Sequence, residues 1–143
     1  MTEVAFHFNA PDKLAYACRF ARKLVRSDRR LVITAPQPVL DLLDGMLWRT
    51  GAQDFIAHGG SDSPGEVLDA SPVLLLADPQ QATVREVLLN LGQEVPAGFG
   101  SYQHLIEVVS ADDEGDRQQA RQRWRHYAGR GYAIARHDLV LKS

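Results

Sequence analysis

The sequence predicts an α/β fold with a mostly parallel central sheet and helices on both of its faces. Three observations carry this. Short apolar, β-branched runs alternate along the chain with stretches whose apolar residues recur every three or four positions. Two of the strand-like runs, Arg30–Ala35 (RLVITA) and Pro72–Ala77 (PVLLLA), are apolar nearly throughout, as strands covered on both sides are. No repeat, linker or low-complexity tract divides the 143 residues, so one domain is expected over 1–143.

Taken in order, Glu3–Phe8 is short, aromatic and β-branched and ends at the turn signal Asn9-Ala-Pro-Asp12, which marks a first strand. Asn9 or Asp12 can cap the helix that follows over Lys13–Arg26. Its stripe of Leu14, Ala17, Cys18, Ala21, Leu24 and Val25 leaves Arg19, Arg22, Lys23 and Arg26 on an outer basic face. Strand Arg30–Ala35 is next, then a helix over Pro38–Arg49, a short strand Gln53–Ala57, and a loop from His58 to Gly65. Strand Pro72–Ala77 precedes Val84–Leu91, which reads as a strand although Pro79–Leu91 also has a helical reading. A turn-rich crossover, Val95–Tyr102, leads to strand Leu105–Val109, helix Asp112–Gly129 and a last strand Tyr132–Ala135. The strand–helix alternation implies right-handed crossovers.

Composition excludes several classes. With 45% hydrophobic and 24% charged residues the chain is a soluble globular type, and no apolar run approaches the roughly 18 residues of a membrane-spanning helix. No secretory leader is visible, and the single cysteine, Cys18, can form no internal disulfide or multi-thiolate site, so a cytoplasmic setting is expected. The net charge of −2 conceals an asymmetry. Between Arg117 and His137 there are six arginines (117, 121, 123, 125, 130 and 136) and no acid, which leaves 10 basic and 18 acidic residues, a net of −8, for the rest. Such asymmetry speaks to partners rather than to fold.

Catalytic and cofactor motifs are missing. The turn after the first strand, where a doubly wound fold cradles phosphate, has no glycine and carries a proline and an acid. Neither G-x-G-x-x-G nor a P-loop occurs, His58-Gly-Gly-Ser61 is not followed by a helix start, and no G-x-S-x-G elbow is present. The five histidines lack metal-binding spacing. His7 reads as a hydrogen-bonded strand residue, Cys18 as a core residue, and Asp112-Asp113-Glu114 as acids suited to a helix N-terminus. No enzymatic activity, cofactor or metal is expected.

Two features remain. In the last helix Arg117, Arg121 and Arg125 are spaced by four and form a ridge, with Trp124 and Tyr127 beside it. This is either a solvated basic face with both aromatics in the core, or a docking site for an acidic, partly aromatic ligand. Single-stranded nucleic acid would satisfy the same pattern through phosphate pairing and base stacking, although a −8 body disfavours a long polyanion. The second feature is Trp48 and Phe55, large apolar side chains at the edge of the expected sheet: core residues by default, or anchors for a protein partner if exposed.

Met46–His58 (MLWRTGAQDFIAH), Leu105–Val109 (LIEVV) and the stretch from Arg117 through ARQRWRHYAGRGYAI to Ile134 resemble, in order and spacing, the chi subunit of bacterial DNA polymerase III holoenzyme. The opening strand and basic first helix agree, so the resemblance spans nearly the whole chain. It implies a Rossmann-like three-layer fold without a nucleotide-binding loop. It also implies a non-catalytic accessory subunit of the clamp-loader complex that pairs with the psi subunit. The same subunit would bind the acidic C-terminal tail of single-stranded-DNA-binding protein, so that its contact with DNA is indirect. On that resemblance the tail site comprises Arg117, Arg121, Trp124 and Arg125 with Tyr127 close by, and the psi-facing surface includes Trp48 and Phe55. The sequence departs from the family pattern at Trp124, where tyrosine is expected, at Ser110, where an apolar residue is expected, and in a short loop after His58.

Overall fold

A computed structural model describes residues 1–50, 58–60 and 72–142. Seven strands form one sheet: β1 (Glu3–Ala10), β2 (Leu31–Thr34), β3 (His58–Gly60), β4 (Val73–Leu75), β5 (Val87–Asn90), β6 (His104–Ser110) and β7 (Ile134–Asp138). Their order is β3-β4-β2-β5-β6-β1-β7, and every neighbouring pair is parallel. Helices α1 (Lys13–Arg26) and α2 (Gln37–Thr50) cover one face, and α3 (Glu114–Gly129) covers the other. The result is a three-layer, Rossmann-like α/β arrangement with all described pairings parallel.

The two cores follow from strand alternation. On β6, Ile106 and Val108 pack toward α1 and α2, while Leu105 and Val109 pack toward α3. The α1 side is filled by Ala17, Cys18, Ala21 and Leu24, all buried, so Cys18 is the small core residue its position in the apolar stripe implies. Asp12 caps α1 by accepting from the Ala15 N–H at 3.1 Å. His7 is buried on the same face, with Nδ1 2.5 Å from the Tyr16 hydroxyl.

Three expectations shift. Val84–Leu91 is a strand only over Val87–Asn90, and the helical reading survives as a single 3-10 turn at Pro79–Gln81. The last strand begins at Ile134 and runs to Asp138, because Gly131 takes a left-handed φ of 86° and the Tyr132 N–H still bonds the Tyr127 carbonyl. His58–Gly60, expected as loop, is an edge strand paired with Val73–Leu75, since parallel pairing uses backbone groups that glycine also has. The expected strand Gln53–Ala57 lies outside the described residues.

At the carboxyl end of the sheet, adjacent strands β1 and β6 lead into helices on opposite faces, the place where doubly wound folds hold ligands. Here protein groups fill it. Asp116, buried near the start of α3, accepts from Lys13 Nζ at 2.9 Å, Gln93 Nε2 at 2.7 Å and the Ser110 N–H at 2.8 Å. Burial alone would raise its carboxyl pKa, but the Lys13 bond and charge, with the Ser110 and Gln93 bonds, outweigh that and hold it below 3.8. A depressed folded pKa gives stability that is present above the unfolded pKa and lost as pH falls through the folded one. Asp116→Asn should therefore cost roughly 1–2 kcal/mol at pH 7, and urea unfolding should show the deficit shrinking below about pH 4. An undiminished deficit at pH 3 would contradict this account.

Candidate functional site

A groove of about 430 Å³ opens between α3 and the carboxyl ends of β1, β6 and β7. Its floor is apolar. Phe6 and Phe8 come from alternate positions of β1, Val109 from β6, and Ala120 from α3, where a small side chain lets helix and sheet approach. Trp124 forms a wall, half-buried, its ring centroid 5.0 Å from that of Phe6. A register shift in β1 between His7 and Ala10, with Asn9 at φ 66°, brings Asn9 as well as Phe8 into the lining. The Asn9 amide donates to Asp138 at 2.9 Å, holding that bulge to the end of β7.

The rim is cationic. Arg117, Arg121 and Arg125 line the groove from successive turns of α3, as their spacing by four requires. Arg117 is half-buried and donates to the Ala111 carbonyl at 3.1 Å, which ties it down; Arg121 and Arg125 are exposed. Glu114 meets Arg121 at 3.1 Å and Arg117 at 3.9 Å, exposed pairs of small energy that a stronger anion can displace. A fourth guanidinium arrives from β7. Arg136 sits beside Phe6 in the β1–β7 register, with its charge centre 5.3 Å from the Phe8 ring and 6.0 Å from the Trp124 ring. Sequence reading counted Arg136 in the acid-free segment without assigning it to the site. Strand pairing brings it there, and no helical spacing could have signalled that.

Four of the five residues expected at the tail site, Arg117, Arg121, Trp124 and Arg125, therefore share one groove. Tyr127 does not. It is fully buried on the sheet-facing side of α3, and its hydroxyl donates to Glu107 Oε2 at 2.5 Å. Arg123, one of the six arginines of the acid-free segment, is also internal. It is 2% exposed, with Nε 3.0 Å from Glu107 Oε1 and Nη1 donating to the Gln93 carbonyl. Asn90 Nδ2 donates to both Glu107 oxygens at 3.0 and 3.1 Å, its orientation set by the Gly92 N–H on Oδ1. Burial pushes the Glu107 carboxyl upward, against the Arg123 charge and the Tyr127, Asn90 and Arg123 bonds. Arg123 and Asn90 can only donate to it, so the geometry holds a carboxylate. Burial and the Glu107 charge push the Tyr127 hydroxyl far above its ordinary value.

Ser110 lines the groove but works on the backbone: its Oγ accepts from the Asp112 and Asp113 N–H groups at 3.3 and 3.2 Å. Asp113 in turn caps α3 through the Asp116 N–H at 3.1 Å, the helix-start role expected of the acidic cluster. Trp48 is 58% exposed on α2, not in the core, with Leu42, also exposed, on the same helix. Phe55 lies outside the described residues. A larger cavity of about 570 Å³, at the carboxyl ends of β2 and β5, contains Asp78 and Glu94, and its buried Thr34 and Asn90 bond neighbouring backbone. Among the described residues no His/Cys/Asp/Glu group could hold a metal ion, and no helix is long and apolar enough to cross a membrane.

Comparison with known proteins shows the family. The profile of the family described as DNA polymerase III chi subunit, HolC, matches residues 1–135. DNA polymerase III subunit chi of Pseudomonas aeruginosa is 29% identical over 144 aligned positions, covering 97% of this chain and 98% of that protein. The Haemophilus influenzae subunit chi is 25% identical over 124 positions, covering 86% and 85%. With a match running from β1 through α3 to the start of β7, the chain belongs to the DNA polymerase III chi subunit family.

Proposed function

We propose that this chain is a non-catalytic, cytoplasmic accessory subunit of the polymerase III clamp-loader complex that links the replisome to coated single-stranded DNA. In this reading the groove receives the acidic C-terminal tail of single-stranded-DNA-binding protein. One observation carries the assignment: four arginines from α3 and β7 surround an aromatic floor, with Glu114 hydrogen-bonded to Arg121 and in a looser ion pair with Arg117. The tail suits that arrangement, with acidic residues for the guanidinium ridge, a terminal aromatic side chain for the Phe6, Phe8 and Trp124 surface, and a free carboxylate. Titrating such a peptide beside an oligonucleotide into one sample tests it. Saturable peptide binding that weakens with salt supports the reading, because exposed charges are screened over about 8 Å at physiological ionic strength. Oligonucleotide capture by the groove, unmatched by the peptide, would replace it with direct nucleic-acid binding.

A second surface, on α2, would pair with the psi subunit through Trp48 and, on the family resemblance, Phe55. Exposure of Trp48 and Leu42 supports it, since large apolar side chains at a surface can serve as anchors in a protein interface. Trp48→Ala should weaken psi association by about 1–2 kcal/mol in a pull-down or calorimetric titration while tail-peptide affinity stays constant. Loss of both together would show that Trp48 supports the fold instead.

A further inference from the structure

The alternation of β1 breaks once. Val4, Phe6 and Phe8 pack toward α3, while Ala5 and His7 pack toward α1, so strict alternation would turn Ala10 toward α3. Ala10 is instead buried on the α1 side. Between His7 and Ala10 the chain takes three steps where β6 takes two, from Val108 to Ser110, and Asn9 absorbs the extra residue with φ 66°. Asparagine is among the few residues that take this left-handed backbone at low cost. Pairing resumes at once, with the Ala111 N–H on the Ala10 carbonyl at 2.8 Å. A bulge of this kind re-aims a side chain, and the side chain it brings into the groove lining is the Asn9 amide.

The amide supplies what the rest of the lining lacks. The guanidinium groups of Arg117, Arg121, Arg125 and Arg136 and the Trp124 indole only donate hydrogen bonds. Ser110 Oγ already accepts from two backbone N–H groups, and the other lining side chains are apolar. Asn9 Nδ2 is turned to Asp138 Oδ1, which also takes the Val140 N–H at 3.0 Å. No protein group among the described residues bonds the amide oxygen, so Asn9 Oδ1 is the side-chain acceptor in this lining left to a ligand. Donors alone suit any anion. A peptide also brings backbone N–H groups, and one left unbonded in an apolar groove costs its desolvation.

We infer that Asn9 is a specificity-determining residue of the groove, its side-chain oxygen accepting a backbone N–H of the bound tail. This role rests on the tail reading above: the arginines select negative charge, and the amide selects a peptide main chain over other polyanions.

The test is a double cycle by isothermal titration, with the acidic tail peptide and versions of it N-methylated one at a time at the three amides nearest its C-terminus. In the wild type, methylation of one of these amides should weaken binding about fivefold. Asn9→Gly, which keeps the left-handed backbone accessible, should weaken the unmodified peptide by a similar factor, and the same methylation should then cost nothing more. Because the bond is to a neutral group, the effect of Asn9→Gly should hold as salt rises, unlike that of Arg121→Ala with Arg125→Ala. In the wild-type protein the side-chain amide resonances of Asn9 should move on adding the peptide, and move less with the critical amide methylated. Full affinity of Asn9→Gly, methylation penalties of equal size in both proteins, or unmoved Asn9 resonances would each overturn the role of Asn9 while leaving the tail site in place. A wild-type protein that binds no peptide would overturn the tail reading and this role together.

Discussion

Arg123→Ala should destabilise the protein by about 3–5 kcal/mol, the cost of breaking a buried ion pair by removing one partner. Glu107 is fully buried in the middle of the sheet, and Arg123 is the one cation bonded to it among the described residues. Without that guanidinium the carboxylate keeps Tyr127 and Asn90 as donors but loses its counter-charge, and takes up a proton in a site where Asn90 can only donate. For a chain of this length the melting midpoint should fall by roughly 10 °C. Replacing both partners with neutral residues of similar volume, Glu107→Gln with Arg123→Met, should recover much of the loss, since an uncharged interior has no orphan charge to solvate. A double variant as unstable as Arg123→Ala would mean that the pair contributes through packing and not through charge.

Arg121→Ala combined with Arg125→Ala should weaken tail-peptide binding by about 2 kcal/mol, roughly thirtyfold, and leave the melting midpoint within experimental error. Both side chains are exposed, and neither supports the core. Arg121 must give up Glu114 at 3.1 Å, an exposed pair of small worth, so most of its interaction energy remains available to a ligand. The gap between wild type and variant should narrow as salt rises, because the lost contacts are the screened ones. Isothermal titration at two ionic strengths would decide this, and a salt-independent gap would assign the arginines a packing role. Arg136→Ala should act in the same direction through a different route, by loosening the Phe8 and Trp124 rings that it covers.

How far the sequence carried the fold depended on where its apolar residues fell. The strands Leu31–Thr34 and Val73–Leu75 are buried throughout, and contiguous apolar or β-branched runs of this kind could be little else than interior strands. The apolar stripe of α1 repeats at helical spacing and was equally plain. Helix α3 has no apolar stripe to mark it, because its buried side reads Asp116, Ala120, Arg123, Tyr127. Two charged residues on that stripe look like solvated positions until their partners are known, and those partners, Lys13 and Glu107, are 103 and 16 residues away. The same blindness left Tyr127 open between core and docking site, with only the family resemblance setting it near the tail site, and kept Arg136 out of it, since only the β1–β7 register brings that arginine there. Strand order was not legible either, since hydrophobic patterning says which faces are covered but not which neighbour lies beside which.

Placing Arg123 inside and Arg121 and Arg125 outside makes α3 a keyed part. Two residues along a helix turn a side chain by about 200°, so the bonds that seat Arg123 on Glu107 also fix the angle at which its neighbours face the groove. Inserting one neutral residue between Asp116 and Ala120 would rotate the rest of the helix by about 100° and offer Gln122 to the buried carboxylate, and deleting Gln118 would offer it Trp124, each with the same net charge. The arginine ridge of the groove is thus indexed from within the core, by residues that do not line it.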